Sequence, residues 1–149
     1  MPINCTRMLH FSHQFGKFYA HQFVSLLERT GLSMREVHVL LFLANHPEYD
    51  TARDVTEFRG LSKSQVSQAV ELLTAEGLLR RTPDGVDRRV VHLAITESGA
   101  PLARACQDIQ AACVRRLLDG LSPAEEAQLC GLLETVLNNA ALLAEEASV

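Results

Sequence analysis

A mainly α-helical chain with one small β-hairpin is the fold class that three observations predict. Serine opens a capping box at three places, Ser33 with Glu36, Ser62 with Gln65 and Ser122 with Glu125, and apolar residues follow each at helical spacing. Glycines at 31, 60, 77 and 120 fall where those helical patterns stop. One turn, Pro83-Asp84-Gly85, separates two runs rich in branched apolar residues, which marks a hairpin. At 149 residues the chain suits a single domain with a sizeable core.

The first helix is expected from about Arg7 to Arg29, ended by Thr30-Gly31. At 100° per residue Met8, Phe11, Phe15, Phe18, Tyr19, Phe23 and Leu26 gather on one arc, and His10, His13, Lys17 and His21 on the opposite one. Such an apolar face exceeds the needs of one domain and is expected to serve both a core and a second subunit. Ser33 opens a core helix through Val37, Leu40, Leu41 and Ala44 that stops before His46-Pro47. Thr51 starts a short helix to Arg59, with Val55 and Phe58 expected to face inward and Arg53 and Arg59 as candidate contacts to a nucleic-acid backbone.

The stretch from Arg59 to Arg89 organises the rest. A helix from Lys63 pins Val66, Ala69, Val70 and Leu73 to a core, and turns Lys63, Ser64, Gln65, Ser67 and Gln68 to solvent. Short hydroxyls and amides of this kind suit the edges of bases, where glutamine pairs bidentately with adenine, while a helix amino end favours a phosphate. Gly77 ends that helix. Strands are expected at 78–82 and 89–95, and the tip between them carries Arg88 and Arg89 beside Asp87. One arginine is expected to pair with Asp87 and stiffen the hairpin, the other to reach a phosphate ridge or minor groove; which does which is open. Thr96 is then expected to cap a helix from about Glu97 to Asp119, and Ser122-Pro123 to open the last, running to about Glu146.

A net charge of −4 argues against a nucleic-acid partner only until it is divided along the chain. Residues 119–149 hold six acidic and no basic groups, whereas residues 51–118 hold ten basic and eight acidic ones. The acidic excess therefore lies away from the proposed reading head, and the few arginines there predict strong salt sensitivity. No apolar run is expected to reach the ~18 residues of a membrane span, and the amino terminus lacks the pattern of a signal peptide, so no membrane partner and a cytoplasmic location are expected. Four cysteines without a Cys-x-x-Cys fit a reducing compartment.

The segment Leu61-Ser62-Lys63-Ser64-Gln65-Val66-Ser67, the run Glu76-Gly77-Leu78-Leu79-Arg80-Arg81, the Asp87-Arg88-Arg89 tip and the Leu93-Ala94-Ile95-Thr96-Glu97-Ser98-Gly99 that follows resemble the winged helix-turn-helix of MarR-type transcriptional regulators. The likeness extends over nearly the whole chain. It implies a single domain over 1–149, with dimerisation helices at 1–32 and 97–149 flanking a winged helix-turn-helix DNA-binding lobe at 33–96. It also implies a homodimer on double-stranded DNA, whose reading helices lie one DNA turn apart and select a pseudopalindrome. One departure is that many members carry a basic residue where this chain has Gln68, which predicts weaker phosphate anchoring by that helix.

The family further implies a pocket between the dimerisation helices and the DNA-binding lobe, where a small apolar or phenolic effector would sit against Phe11, Phe15, Phe18, His38 and Phe42, residues that equally suit plain core. A zinc-responsive branch matches at His38 alone, since Cys106 and Gln110 fall where its other ligands would be. A thiol-responsive branch matches at Cys5 without its tyrosine partners. No resident cofactor or metal is expected. No Gly-rich phosphate loop, nucleophile elbow or Ser/His/Asp set appears, so the chain is not expected to be an enzyme. The expected function is a repressor released by a small molecule. The alternatives are a metal- or thiol-responsive regulator of the same fold, or a winged-helix protein-interaction module that does not read DNA.

Overall fold

The computed structural model describes residues 4–147, apart from the side chain of Arg59. Six helices and one hairpin follow in the order α1 (Cys5–Thr30), α2 (Met34–Asn45), α3 (Ala52–Arg59), α4 (Lys63–Ala75), β1 (Leu79–Pro83), β2 (Val91–Ile95), α5 (Ala100–Leu117) and α6 (Pro123–Glu146). By contacts the chain forms two compact units, Met1–Cys113 and Val114–Val149.

Local chemistry sets the ends of these elements. All three serine capping boxes form, and Thr51 with Asp54 makes a fourth at α3. Each answers two backbone N–H groups that a helix start leaves without partners. Gly31 stops α1 with φ of 71°, a left-handed conformation that any Cβ would strain.

Within the first unit α2 is the pivot, because both its sides are covered. Val39, Leu40 and Phe42 join α4 residues Val66, Ala69, Val70 and Leu73, with Val55, Leu79 and Leu93, in one core. Val37 and Leu41 meet Phe23 and Leu26 of α1 and Cys106 of α5 in a second. Each fully buried leucine or phenylalanine contributes about 1.5–3 kcal/mol. A chain of amides stitches the same three helices: Gln107 Nε2 donates to Asn45 Oδ1 (2.9 Å), Asn45 Nδ2 to Gln110 Oε1 (3.0 Å), and Gln110 Nε2 to the Tyr19 hydroxyl (3.0 Å).

Several expectations change. Phe58 does not face inward: it is 56% exposed and packs its ring on Phe42, His46 and Tyr49. The second strand is shorter than expected, since Arg89 and Val90 belong to the turn, and the first is shifted by one residue. Helix α5 starts at Ala100 rather than Glu97, although Thr96 makes the expected capping bond, its hydroxyl accepting from the Gly99 N–H. In the second unit α6 buries no residue, and Leu132, Leu133, Val136, Leu137, Leu142 and Leu143 are all exposed. By length and composition α6 is also apolar enough to cross a membrane, although Glu134, Asn138 and Asn139 interrupt it and no single run is continuous.

Candidate nucleic-acid interface

Helix α4 is built from a left-handed glycine and a cap. Gly60 turns the chain at φ of 63°, Ser62 Oγ accepts from the Gln65 N–H, and Gln65 Oε1 accepts from the Ser62 N–H (3.0 Å). Val66, Ala69, Val70 and Leu73 are at most 3% exposed, which fixes the rotation of the helix. Lys63, Ser64, Gln65, Ser67 and Gln68 are all exposed in consequence. The expected division of α4 into a core face and a polar face is therefore present.

Gln68 has a partner that sequence reasoning missed. Arg35, in the first turn of α2, donates from Nη1 to Gln68 Oε1 at 2.8 Å across 33 residues of chain. A cation thus stands beside the position where a basic residue had been missed. The Arg35 Nε lies 3.8 Å from Glu36 Oε1, and Glu36 is itself buried, its other oxygen bound by the Ser33 cap. No local pattern links positions 35 and 68; only the packing of α2 on α4 does.

The hairpin pairs Leu79 with Ile95 through Pro83 with Val91. Its tip is organised by Asp84 rather than Asp87. Asp84 Oδ2 accepts from the N–H groups of Val86 and Asp87, both at 2.8 Å, and its Oδ1 lies 3.1 Å from His92 Nε2. The Asp87 backbone N–H first, then His92 and the Val86 N–H, lower the Asp84 carboxyl to about 2. His92 Nδ1 meets Asp50 Oδ1 at 2.7 Å, so the imidazole joins the wing to the loop before α3. Bonds to Asp50 first and Asp84 second raise the His92 pKa above its ordinary value. The Leu93 N–H donates to the Asp50 carbonyl (2.7 Å) and strengthens the same join.

Asp87 accepts from the Arg89 backbone N–H at 2.9 Å. The expectation that one wing arginine pairs with Asp87 is not met, because the turn uses that carboxylate on the backbone. Arg88 and Arg89 both stand exposed, with no ion pair among the described residues. Arg53, by contrast, is held by Glu57 one turn along α3 at 2.8 Å. The Arg59 side chain lies outside what is described. Asp84 was legible as a turn residue, since aspartate in Pro-Asp-Gly binds the backbone two residues on; its second partner, His92, was not.

The residues expected around an effector fall in two groups. Phe11, Phe15 and Phe18 form a run of ring contacts along α1, with Phe11 itself 52% exposed. Phe42 is buried, stacks on His46 and Phe58, and lines a cavity of about 110 Å³ with Leu41, Asn45 and Gln110. His38 is half-buried on α2. Burial raises the Cys106 thiol to about 11, which opposes a thiolate ligand, and the Gln110 amide is engaged by Asn45 and Tyr19. Cys5 is exposed.

A capped helix with a solvated polar face, set against a hairpin whose tip presents two unpaired arginines, defines a winged-helix DNA-binding protein. Residues 30–90 match the model of the MarR family. The chain is similar to the uncharacterized HTH-type transcriptional regulator YfiV of Bacillus subtilis, 28% identical over 120 residues that make 78% of this chain and 74% of the relative. Its fold is similar to a MarR-family transcriptional regulator from Rhodococcus sp. RHA1, with a TM-score of 0.68, 26% identity and coverage of 91% of this chain and 96% of that one. It is likewise similar to S. aureus MepR in its DNA-binding conformation, with a TM-score of 0.76, 22% identity and coverage of 89% and 98%. Residues 30–90 thus carry the MarR-family match, and nearly the whole chain has the fold of the solved winged helix-turn-helix regulators of that family.

Proposed function

We propose that this protein is a repressor that binds a pseudopalindromic operator in double-stranded DNA as a homodimer, and that a small apolar or phenolic effector releases it. The observation that carries the reading is the pairing of the uncharged polar face of α4 with the unpaired Arg88 and Arg89 of the wing. Ser64, Ser67 and Gln68 meet base edges, Gln65 contributes its free amide nitrogen, and Lys63 meets a phosphate near the start of the helix. Arg88 and Arg89 follow the backbone or minor groove, and Arg53 and Arg59 add backbone contacts.

Six exposed large apolar residues on α6 supply one surface for a second copy to cover, and Met8, Leu9 and Phe11 on α1 supply another. S. aureus MepR has been described in complex with DNA, and BpsR of Bordetella bronchiseptica is regulated in its DNA binding by 6-hydroxynicotinic acid, which supports both halves of the reading. We take the effector to sit against Phe11, Phe15 and Phe18 of α1 or His38 and Phe42 of α2. A ligand there releases DNA to the extent that it binds the non-binding spacing of the reading helices more tightly.

Fluorescence anisotropy of the purified protein on DNA from its own upstream region, at two salt concentrations, tests this. Saturable binding at two subunits per site that weakens steeply with salt is the expected result. Absence of binding at low salt refutes it.

A further inference from the structure

The two glutamines of the reading helix share a feature: each has its carbonyl oxygen occupied by a donor of the protein. Gln65 Oε1 takes the Ser62 N–H at 3.0 Å and Gln68 Oε1 takes the Arg35 guanidinium at 2.8 Å. Neither a backbone N–H nor a guanidinium can accept, so these partners fix which end of each amide points where. The free end is the NH₂ group in both cases. Gln68 is exposed and Arg35 about 40% exposed at its side chain, so their pair lies on the solvated side of α4.

That orientation bears on which base is read. Glutamine recognises adenine bidentately by accepting from N6 and donating to N7, and both amide atoms must be free. The guanidinium occupies the acceptor of Gln68. The oxygen keeps a second lone pair, but the adjacent positive charge repels an incoming N–H dipole and attracts an acceptor. Guanine presents two acceptors, O6 and N7, at the same edge. The outward NH₂ of Gln68 and the remaining N–H groups of Arg35 match that edge.

We propose that Arg35 is a specificity-determining positioning residue, which holds Gln68 amide-nitrogen-outward and makes α4 select guanine over adenine at the base it faces. The proposal rests on the DNA-binding reading above and adds to it a residue from outside the helix-turn-helix and a base.

A randomised duplex pool, selected on the full-length protein and on its variants and then sequenced, tests it. In each half-site the position whose preference vanishes with Gln68→Ala is the one faced by Gln68. Wild type is expected to favour guanine there over adenine by roughly tenfold. Arg35→Met is expected to abolish or invert that preference, and Arg35→Lys, which still supplies a donor to Gln68 Oε1, to retain it. Adenine preferred by the wild type at that position overturns the proposal, even where Arg35→Met fails to fold. So does an Arg35→Met protein that binds every sequence more weakly while keeping its guanine preference, because Arg35 is then a phosphate contact only. Retention of no duplex by the wild type overturns the DNA-binding reading itself, which separates the two failures.

Discussion

Gly99→Ala attacks the join between the wing and α5. Gly99 is buried, and a Cβ built there falls on the Leu78 carbonyl oxygen, far inside contact distance, and 3.1 Å from Ile95 Cγ2. The obstacle is backbone and cannot swing aside. For Leu78 to retreat, the bond from the Thr96 N–H to its carbonyl (3.1 Å) must stretch, and so must the bond from Thr96 Oγ1 to the Gly77 carbonyl (2.6 Å). Two such bonds are worth about 2 kcal/mol net, and overpacking beside Ile95 adds about 1–3 kcal/mol. Lower entropy of the unfolded chain returns less than about 1 kcal/mol. The expected loss is about 3 kcal/mol, which for a chain of this size lowers Tm by roughly 10 °C. Thermal unfolding followed by circular dichroism measures it. A Tm within about 2 °C of wild type refutes the argument that close backbone approach is why glycine stands there.

Arg88→Ala with Arg89→Ala is expected to leave Tm unchanged, since neither side chain is paired, and to reduce the slope of log affinity against log salt by about 2 in an anisotropy titration. Raised above its ordinary 6.5, the folded-state His92 pKa predicts a contribution to stability present in full below pH 6.5 and lost as pH climbs through the raised value. Asp84, lowered from 3.8 to about 2, contributes above pH 3.8 and ceases to as pH falls toward 2. Tm measured against pH in wild type and His92→Asn checks this: the variant should lose the fall above pH 6.5 and keep only the part of the acid limb that the backbone bonds to Asp84 supply. Leu73→Ala empties a fully buried site under α4 and is expected to cost about 2–5 kcal/mol in urea unfolding. If the proposed homodimer forms through α6, Leu137→Glu shifts it to monomer in sedimentation without lowering helix content.

Much of the fold was legible because its signals are local. A capping box needs four residues, and the apolar stripe of α4 needs eight, so Ser62, Gln65, Val66 and Leu73 carried their own answer. The same holds for Thr96 and Gly99, although the reason for the spacing appeared only in three dimensions. The Thr96 hydroxyl donates to the Gly77 carbonyl and accepts from the Gly99 N–H (3.0 Å), so it ties the end of α4 to the start of α5. Phe58 was misplaced for the opposite reason. On an eight-residue helix the apolar arc is defined by two residues, and a cluster of Phe42, His46 and Tyr49 from α2 and the loop after it proved to be its neighbour. His92 looked like one more strand residue; its role depends on Asp50, 42 positions earlier.

In the proposed DNA complex the carboxylates of the wing would serve the contact without touching an arginine. Had Asp87 paired with Arg88 or Arg89, the pair would have drawn one cation away from phosphate, and exposed pairs of that kind contribute little stability in return. The turn instead uses both of its aspartates on backbone N–H groups, with Asp84 holding residues 86 and 87 and Asp87 holding residue 89. Backbone bonds fix the curvature of the tip, and curvature decides where residues 88 and 89 project. The guanidinium groups then keep their full charge for a partner, while His92, gripped by Asp50 and Asp84, anchors the turn to the loop ahead of α3. Removal of the Asp84 side-chain acceptor should therefore weaken DNA binding as much as loss of an arginine does, with one difference. The salt slope should stay close to that of wild type, because the number of cations available to phosphate is unchanged. Asp84→Ala and Arg88→Ala compared at several salt concentrations separate positioning from contact.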